Sequence, residues 1–168
     1  MPLHIRPEHA ADAPAIERLT EAAFEHAPHT DHTEQFIVRA LRAAGALTVS
    51  LVAEQAGALV GHVALSPVTI SDGTPGWFGL GPISVAPAHQ NQGVGSALMH
   101  SALLALRERG AAGCVLLGDP AWYRRFGFAP AAPLLLPGVP PGYFQALAFG
   151  EGAASGVVSY HPAFDAKA

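Results

Sequence analysis

The stretch Gln90-Asn91-Gln92-Gly93-Val94-Gly95-Ser96 has the residue types and the spacing to seat an anion. It follows an apolar extended run, Trp77 to Ala86, which Pro87 ends because proline donates no ladder hydrogen bond. It opens an apolar helical run from about Gly93 to Arg109. Without a Cβ, Gly93 and Gly95 let backbone N–H groups come close to a bulky anion. The first helical turn adds orphan N–H groups and the positive end of the helix dipole. Gln90-x-x-Gly93-x-Gly95 therefore reads as a pyrophosphate seat. It is not a dinucleotide fingerprint, which needs G-x-G-x-x-G and an acid about 20 residues on; Leu98 stands where the third glycine would be. Nor is it a Walker loop, since no Gly-Lys-Ser/Thr follows.

Other residues could do chemistry but carry weaker signals. His26, His29 and His32 form H-x-x-H-x-x-H with Asp31 beside them. That spacing matches no standard zinc pattern, so the loop reads as a polar connector and no metal is expected. His62 and Ser66 share one face of an extended segment, but such residues are more often satisfied locally than catalytic. Cys114 lies in the apolar run Ala111 to Gly118, with nothing to lower a thiol pKa, and reads as core. Arg124 and Arg125 suit phosphates or acids equally.

The elements that must position these residues can be read in order. Leu3 to Arg6 is a short strand stopped by Pro7. Asp12 is an expected N-cap for a first helix carrying Ile16, Leu19 and Ala23, and Thr33 for a second carrying Ile37, Leu41 and Ala44. Leu47 to Glu54 and Ala58 to Ile70 form a hairpin, with Gly61 marking a close backbone approach. Gly79 and Gly81-Pro82 mark a bulge inside the strand Trp77 to Ala86. A strand, a helix and a strand over 77–118 make a right-handed crossover, so those two strands are parallel. Asp119 caps a short helix that ends at Gly127. A proline-rich surface strap follows, then strands at Tyr143 to Phe149 and Gly156 to Tyr160.

With 168 residues, half of them hydrophobic, the chain suits one domain over residues 1–168 with a real core. Nine Lys and Arg against a net charge of −4 leave no basic footprint for nucleic acid. The first residues lack a basic region followed by an apolar run, and no membrane span is visible, so a cytoplasmic protein is expected. The C-terminal strands could trade edges with a second copy, which would give a homodimer.

Val85-x-Pro87-x-x-Gln90-x-x-Gly93-x-Gly95 resembles, without a gap, the acetyl-CoA motif of the GNAT superfamily of N-acetyltransferases. Gly118-Asp119-Pro120-x-x-Tyr123-x-Arg125-Phe126-Gly127-Phe128 is similar to a narrower group within it, the YhbS-like acetyltransferases. The resemblance implies an α/β (by some schemes α+β) GNAT fold: a mixed, mostly antiparallel twisted sheet of six to seven strands with helices on both faces. It implies that Gln90, Asn91, Gln92, Gly93, Val94, Gly95 and Ser96 hold the CoA pyrophosphate, and that the backbones of Ile83 and Val85 pair with the pantetheine arm. It also implies that Tyr123 protonates the leaving thiolate and that the loop between the first two helices lines the acceptor pocket. A phenol with its usual pKa near ~10 is protonated at neutral pH, as that role needs. The expected activity is transfer of an acetyl group from acetyl-CoA to a primary amine of a small molecule or peptide, by direct attack and without a metal. His62, Asp119 and the 26–32 loop are the candidates for a base. The alternative is a catalytically silent acyl-CoA-binding sensor or partner protein.

Overall fold

The structure is a computed structural model that describes residues 2–28, 30–140 and 142–168. Its main sheet has seven strands in the order β1 (His4–Pro7), β2 (Val49–Gln55), β3 (Ala58–Pro67), β5 (Trp77–Val85), β6 (Gly113–Leu117), β9 (Phe144–Ala148) and β7 (Ala129–Pro130). A smaller sheet has the order β4 (Thr69–Ile70), β10 (Gly156–Ser159), β8 (Leu134–Leu135). In the main sheet β5 and β6 pair in parallel and every other pair is antiparallel. The mixed, mostly antiparallel sheet expected from the sequence is the one found.

Side-chain alternation along β2 assigns the two faces. Val49, Leu51 and Ala53 pack into the core under helix α3 (Val94–Glu108), while Val52 packs with Ile16 of α1 (Ala13–Phe24) and Val38 of α2 (Glu34–Ala43). Leu98, Met99 and Leu106 of α3 are fully buried. Each such side chain contributes about 2 kcal/mol by leaving water. Gly61 of β3 lets α3 lie this close, because a Cβ there would stand 2.8 Å from Val94 and 2.9 Å from Leu98. The close approach expected at Gly61 is thus where the start of α3 meets the sheet.

Several local expectations are corrected. Asp12 does not cap α1; its carboxylate accepts from Arg6, at 2.8 Å, and from the backbone N–H of His9. The Arg6 hydrogen bond, then that of His9, pulls the Asp12 pKa down to about 2. Thr33 precedes α2 without a side-chain cap. The long strand read over 58–70 breaks after Pro67, and Thr69–Ile70 pairs in the small sheet instead. Neither C-terminal strand is an edge: β9 runs between β6 and β7, and β10 between β4 and β8. β10 meets β4 through Val158 and Ser159 and β8 through Gly156 and Val157, and β7 covers only Gln145 and Ala146 of β9.

His29 lies outside the described residues, and His26 and His32 are exposed. Among the described residues no group of three or more His, Cys, Asp or Glu could hold a metal ion, and no helix is long and apolar enough to cross a membrane.

Candidate active site

The site starts where β5 ends. A 3-10 turn over Pro87–His89 leads to Asn91 at φ 62° and Gly93 at φ 86°, and α3 begins at Val94. Gly93 occupies the left-handed region that glycine adopts without strain. A Cβ on Gly95 would make only ordinary contacts, with the Trp122 ring at 3.4 Å and Val85 at 3.8 Å, two residues that line the same cleft as Gly95. The first N–H groups of α3 have no intrahelical acceptor and point out of the helix start. No acidic residue lies in that first turn.

The second half of the site is the edge of β5. Its pairing with β6 runs only from Trp77 to Gly79, opposite Gly113 to Val115. The register with β3 then slips by one residue opposite Gly81-Pro82, which is the bulge expected there. Ala86 donates its N–H to Val60 of β3. Backbone groups alternate direction along a strand, so Ser84 also faces β3 while Val85 and Ile83 turn away from it. The Val85 carbonyl accepts from the Gln90 side chain at 3.2 Å, on the side away from β3. Ile83 and Val85 therefore present backbone groups to the opening between β5 and β6.

Both halves line one cleft of about 510 Å³, with Ile83, Ser84, Val85, Gln90, Asn91, Gly93, Gly95 and Ser96 in its wall. Gln92 and Val94 are not in the wall. Gln92 donates to the Ala88 carbonyl, and the Val94 side chain is buried against β3. Sequence reading missed Phe24, at the end of α1, His89 and Trp122, and left Arg125 open; all four line the cleft. Arg125 is the one Arg, Lys, Asp or Glu among the lining residues, so the wall carries a cation and no carboxylate. Its guanidinium lies 6.0 Å from the Trp122 ring centre. The signal for Arg125 was its place two residues beyond Tyr123, on the same short helical segment.

Tyr123 ends α4 (Pro120–Tyr123), which follows β6 directly. Asp119 caps this helix by accepting from the Ala121 N–H at 2.9 Å, as expected. The Tyr123 ring lies on the backbone of Gly118, where a Cβ would stand 2.2 Å from Cε2, and meets Trp122 edge-on at 4.7 Å. Burial, and secondarily the charge of Asp119, pushes the phenol up to about 12. Tyr123 is not among the side chains that line the cleft; its neighbour Trp122 is.

His62 is fully buried, with Nε2 2.8 Å from Ser50 Oγ. Ser50 gives its proton to Glu8, so Ser50 accepts from His62 Nε2–H and leaves Nδ1 as a bare lone pair. Burial pulls the His62 pKa down to about 4, against the opposing charge of Glu8. Burial alone would raise Glu8, but hydrogen bonds from Arg42 and Ser50 outweigh it and hold the carboxylate low. His62 is thus a locally bonded neutral imidazole, one strand from Ser84 of the cleft wall. Cys114 is buried core, and burial raises its thiol pKa.

A family model described as an acetyltransferase (GNAT) domain matches residues 47–130. The uncharacterised N-acetyltransferase YhbS of Escherichia coli (strain K12) is 40% identical over 129 residues, which are 76% of this chain and 74% of that protein. The chain belongs to the GNAT acetyltransferase family. The enzyme class expected from the sequence, an acetyl-CoA-dependent acyltransferase, comes with that membership. This GNAT chain is also similar over its length to solved structures. A GNAT family acetyltransferase from Brucella melitensis, crystallised with acetyl-CoA, is 51% identical, with a TM-score of 0.87 over 98% of this chain and 99% of that one. Escherichia coli YhbS, crystallised with CoA, is 36% identical, with a TM-score of 0.88 over 97% of this chain and 92% of that one.

Proposed function

We propose that the chain moves an acetyl group from acetyl-CoA to a primary amine by direct attack. One observation carries this: the free start of α3 and the open edge of β5 line a single cleft that holds a cation and no carboxylate. Backbone N–H groups from Gly93 to Ser96 suit the two phosphates, with Arg125 as the counter-charge. Ile83 and Val85 suit the amide-bearing arm, which can add to β5 as a strand would.

The acceptor nitrogen needs a lone pair, so it sheds one proton to water before or during attack. Its lone pair then forms the C–N bond at the thioester carbonyl. The C–S bond breaks, and sulfur leaves as a thiolate that takes up a proton. Tyr123 donates its hydroxyl hydrogen bond to that sulfur as charge develops. Holding both partners in near-attack geometry supplies much of the rate, up to about 7 kcal/mol or more. Two of the candidates for a base are already engaged. His62 has its Nε2–H engaged with Ser50, and Asp119 caps a helix.

A silent CoA-binding module is the second reading, and it draws on Tyr123 lying outside the cleft wall. Calorimetry with acetyl-CoA, together with free-thiol release over a panel of primary amines, separates the two. Binding with thiol release that depends on an amine supports transfer. Binding without release for any amine leaves the silent module.

A further inference from the structure

Lys167 is the one lysine in the sequence; every other basic side chain that is charged at all pH values is an arginine. A guanidinium stays protonated and offers no lone pair, so Lys167 Nζ is the one side-chain primary amine this chain can present to a thioester. Lys167 is exposed and makes no ion pair among the described residues.

The segment just before it is anchored. A 3-10 turn over Pro162–Asp165 buries Ala163 with Ile37 and Leu41 of α2, and Phe164 packs on the same cluster. The Phe164 ring meets Tyr160 edge-on at 4.9 Å. The Ala166 N–H donates to the Ala163 carbonyl, and beyond Ala166 no backbone hydrogen bond holds the chain among the described residues.

Phe164 also lines a second cavity, of about 350 Å³, beside the CoA cleft. Phe24 lines both, and Leu80, Gly81 and Pro82 at the bulge of β5 form another part of the second wall. On the acetyl-transfer reading above, the arm of acetyl-CoA runs past Val85 and Ile83 and brings its acyl end toward Pro82. Phe164 and Lys167 are three residues apart, so their Cα atoms are separated by at most about 11 Å. The four-carbon lysine stem extends that reach beyond the width of a cavity of this volume. Nζ can therefore enter while Phe164 stays in place. The wall is apolar apart from Glu34 and Tyr160, which suits the stem, and leaving water favours the uncharged amine.

Resting on that reading, we propose that Lys167 is a self-acetylation site, modified from the acetyl-CoA bound to its own chain. The ammonium sheds one proton to water, and the freed lone pair forms the C–N bond at the thioester carbonyl. The C–S bond breaks with its electron pair on sulfur. The second proton lost from nitrogen balances the one taken up by the thiolate, leaving an uncharged acetamide and free CoA thiol.

The test uses the full chain mixed with acetyl-CoA, followed by intact mass and by mapping of the modified residue. Turnover of a panel of primary amines is measured in parallel by free thiol. One acetyl group should appear on Lys167 at least about tenfold faster than in the same chain unfolded in urea. The rate per chain should not depend on protein concentration, because donor and acceptor belong to one molecule. Lys167→Arg, a change at an exposed position, should lose this modification and turn over the amine panel as before. Tyr123→Phe should slow the labelling by the same factor as it slows amine turnover. An unmodified Lys167 in a chain that acetylates external amines overturns the proposal and leaves acetyl transfer standing. So does labelling no faster than in the unfolded chain, or a rate per chain that rises with protein concentration. Acetyl-CoA binding with no thiol release from any amine and no label on Lys167 removes both.

Discussion

Replacing Tyr123 with Phe removes one hydroxyl and leaves the ring on Gly118, so it isolates the proposed contact with the leaving sulfur. The size of the effect follows from the burial of that phenol. With its pKa pushed up to about 12, Tyr123 stays protonated across the working range. A thiol of ordinary pKa near ~8.5 lies roughly 3.5 units below it, so complete transfer of the proton to the thiolate is uphill by about 5 kcal/mol. In the proposed mechanism Tyr123 therefore acts by donating a hydrogen bond to the developing negative charge. Such a charge-assisted bond contributes about 1.5–3 kcal/mol, or roughly ten- to hundredfold in kcat. Steady-state thiol release should show that loss in Tyr123→Phe, with the KM for acetyl-CoA within about twofold. The kcat of the natural chain should show no basic limb from Tyr123 below about pH 11. An unchanged kcat in Tyr123→Phe refutes the contact. A basic limb near pH 9 that disappears in the variant refutes the raised pKa.

Two further predictions follow from the same geometry. Gly118→Ala puts a methyl carbon where Tyr123 Cε2 now lies 2.2 Å from an ideal Cβ, so the ring must move. Its kcat should fall at least about tenfold while calorimetry finds acetyl-CoA affinity preserved. His62 carries a pKa lowered by burial from 6.5 to about 4, so the unfolded chain binds the extra proton first as the pH drops. Its contribution to stability is complete above about pH 6.5 and declines toward pH 4, by about 3 kcal/mol in all. Urea midpoints at pH 7 and 4.5 should differ markedly in the natural chain and much less in His62→Gln. Equal pH sensitivity in both would reject the assignment, because Glu8 and Glu17, lowered from 4.5, have lost only the first part of their contribution at pH 4.5, and Asp12, shifted from 3.8 to about 2, acts almost wholly below it.

The parts of the fold legible in the sequence are those with a strong local signal. The bulge at Gly81-Pro82, the crossover from β5 through α3 to β6, and the close approach at Gly61 each came from glycine, proline or apolar periodicity. What failed depended on partners distant in sequence. Asp12 looks like a cap until Arg6 is folded beside it, and the strand read to Ile70 ends early because β10 captures Thr69–Ile70. Within the site, the turn that opens α3, the proposed pyrophosphate seat, was readable from Pro87, Gly93 and Gly95. Phe24 and Trp122 were not, since α1 and α4 bring them to the cleft from separate segments and neither carries a spacing that announces it.

The central claim is that the start of α3 beside the open edge of β5 seats acetyl-CoA, and Gly95→Ala tests it most directly. An alanine there makes only ordinary contacts, with Trp122 and Val85, and favours the helix, so the melting temperature should hold or rise. The added methyl group intrudes on the cleft, so calorimetry should find acetyl-CoA binding to the natural chain and binding at least about tenfold weaker in the variant. No binding to the natural chain, or equal affinity in both, contradicts the account.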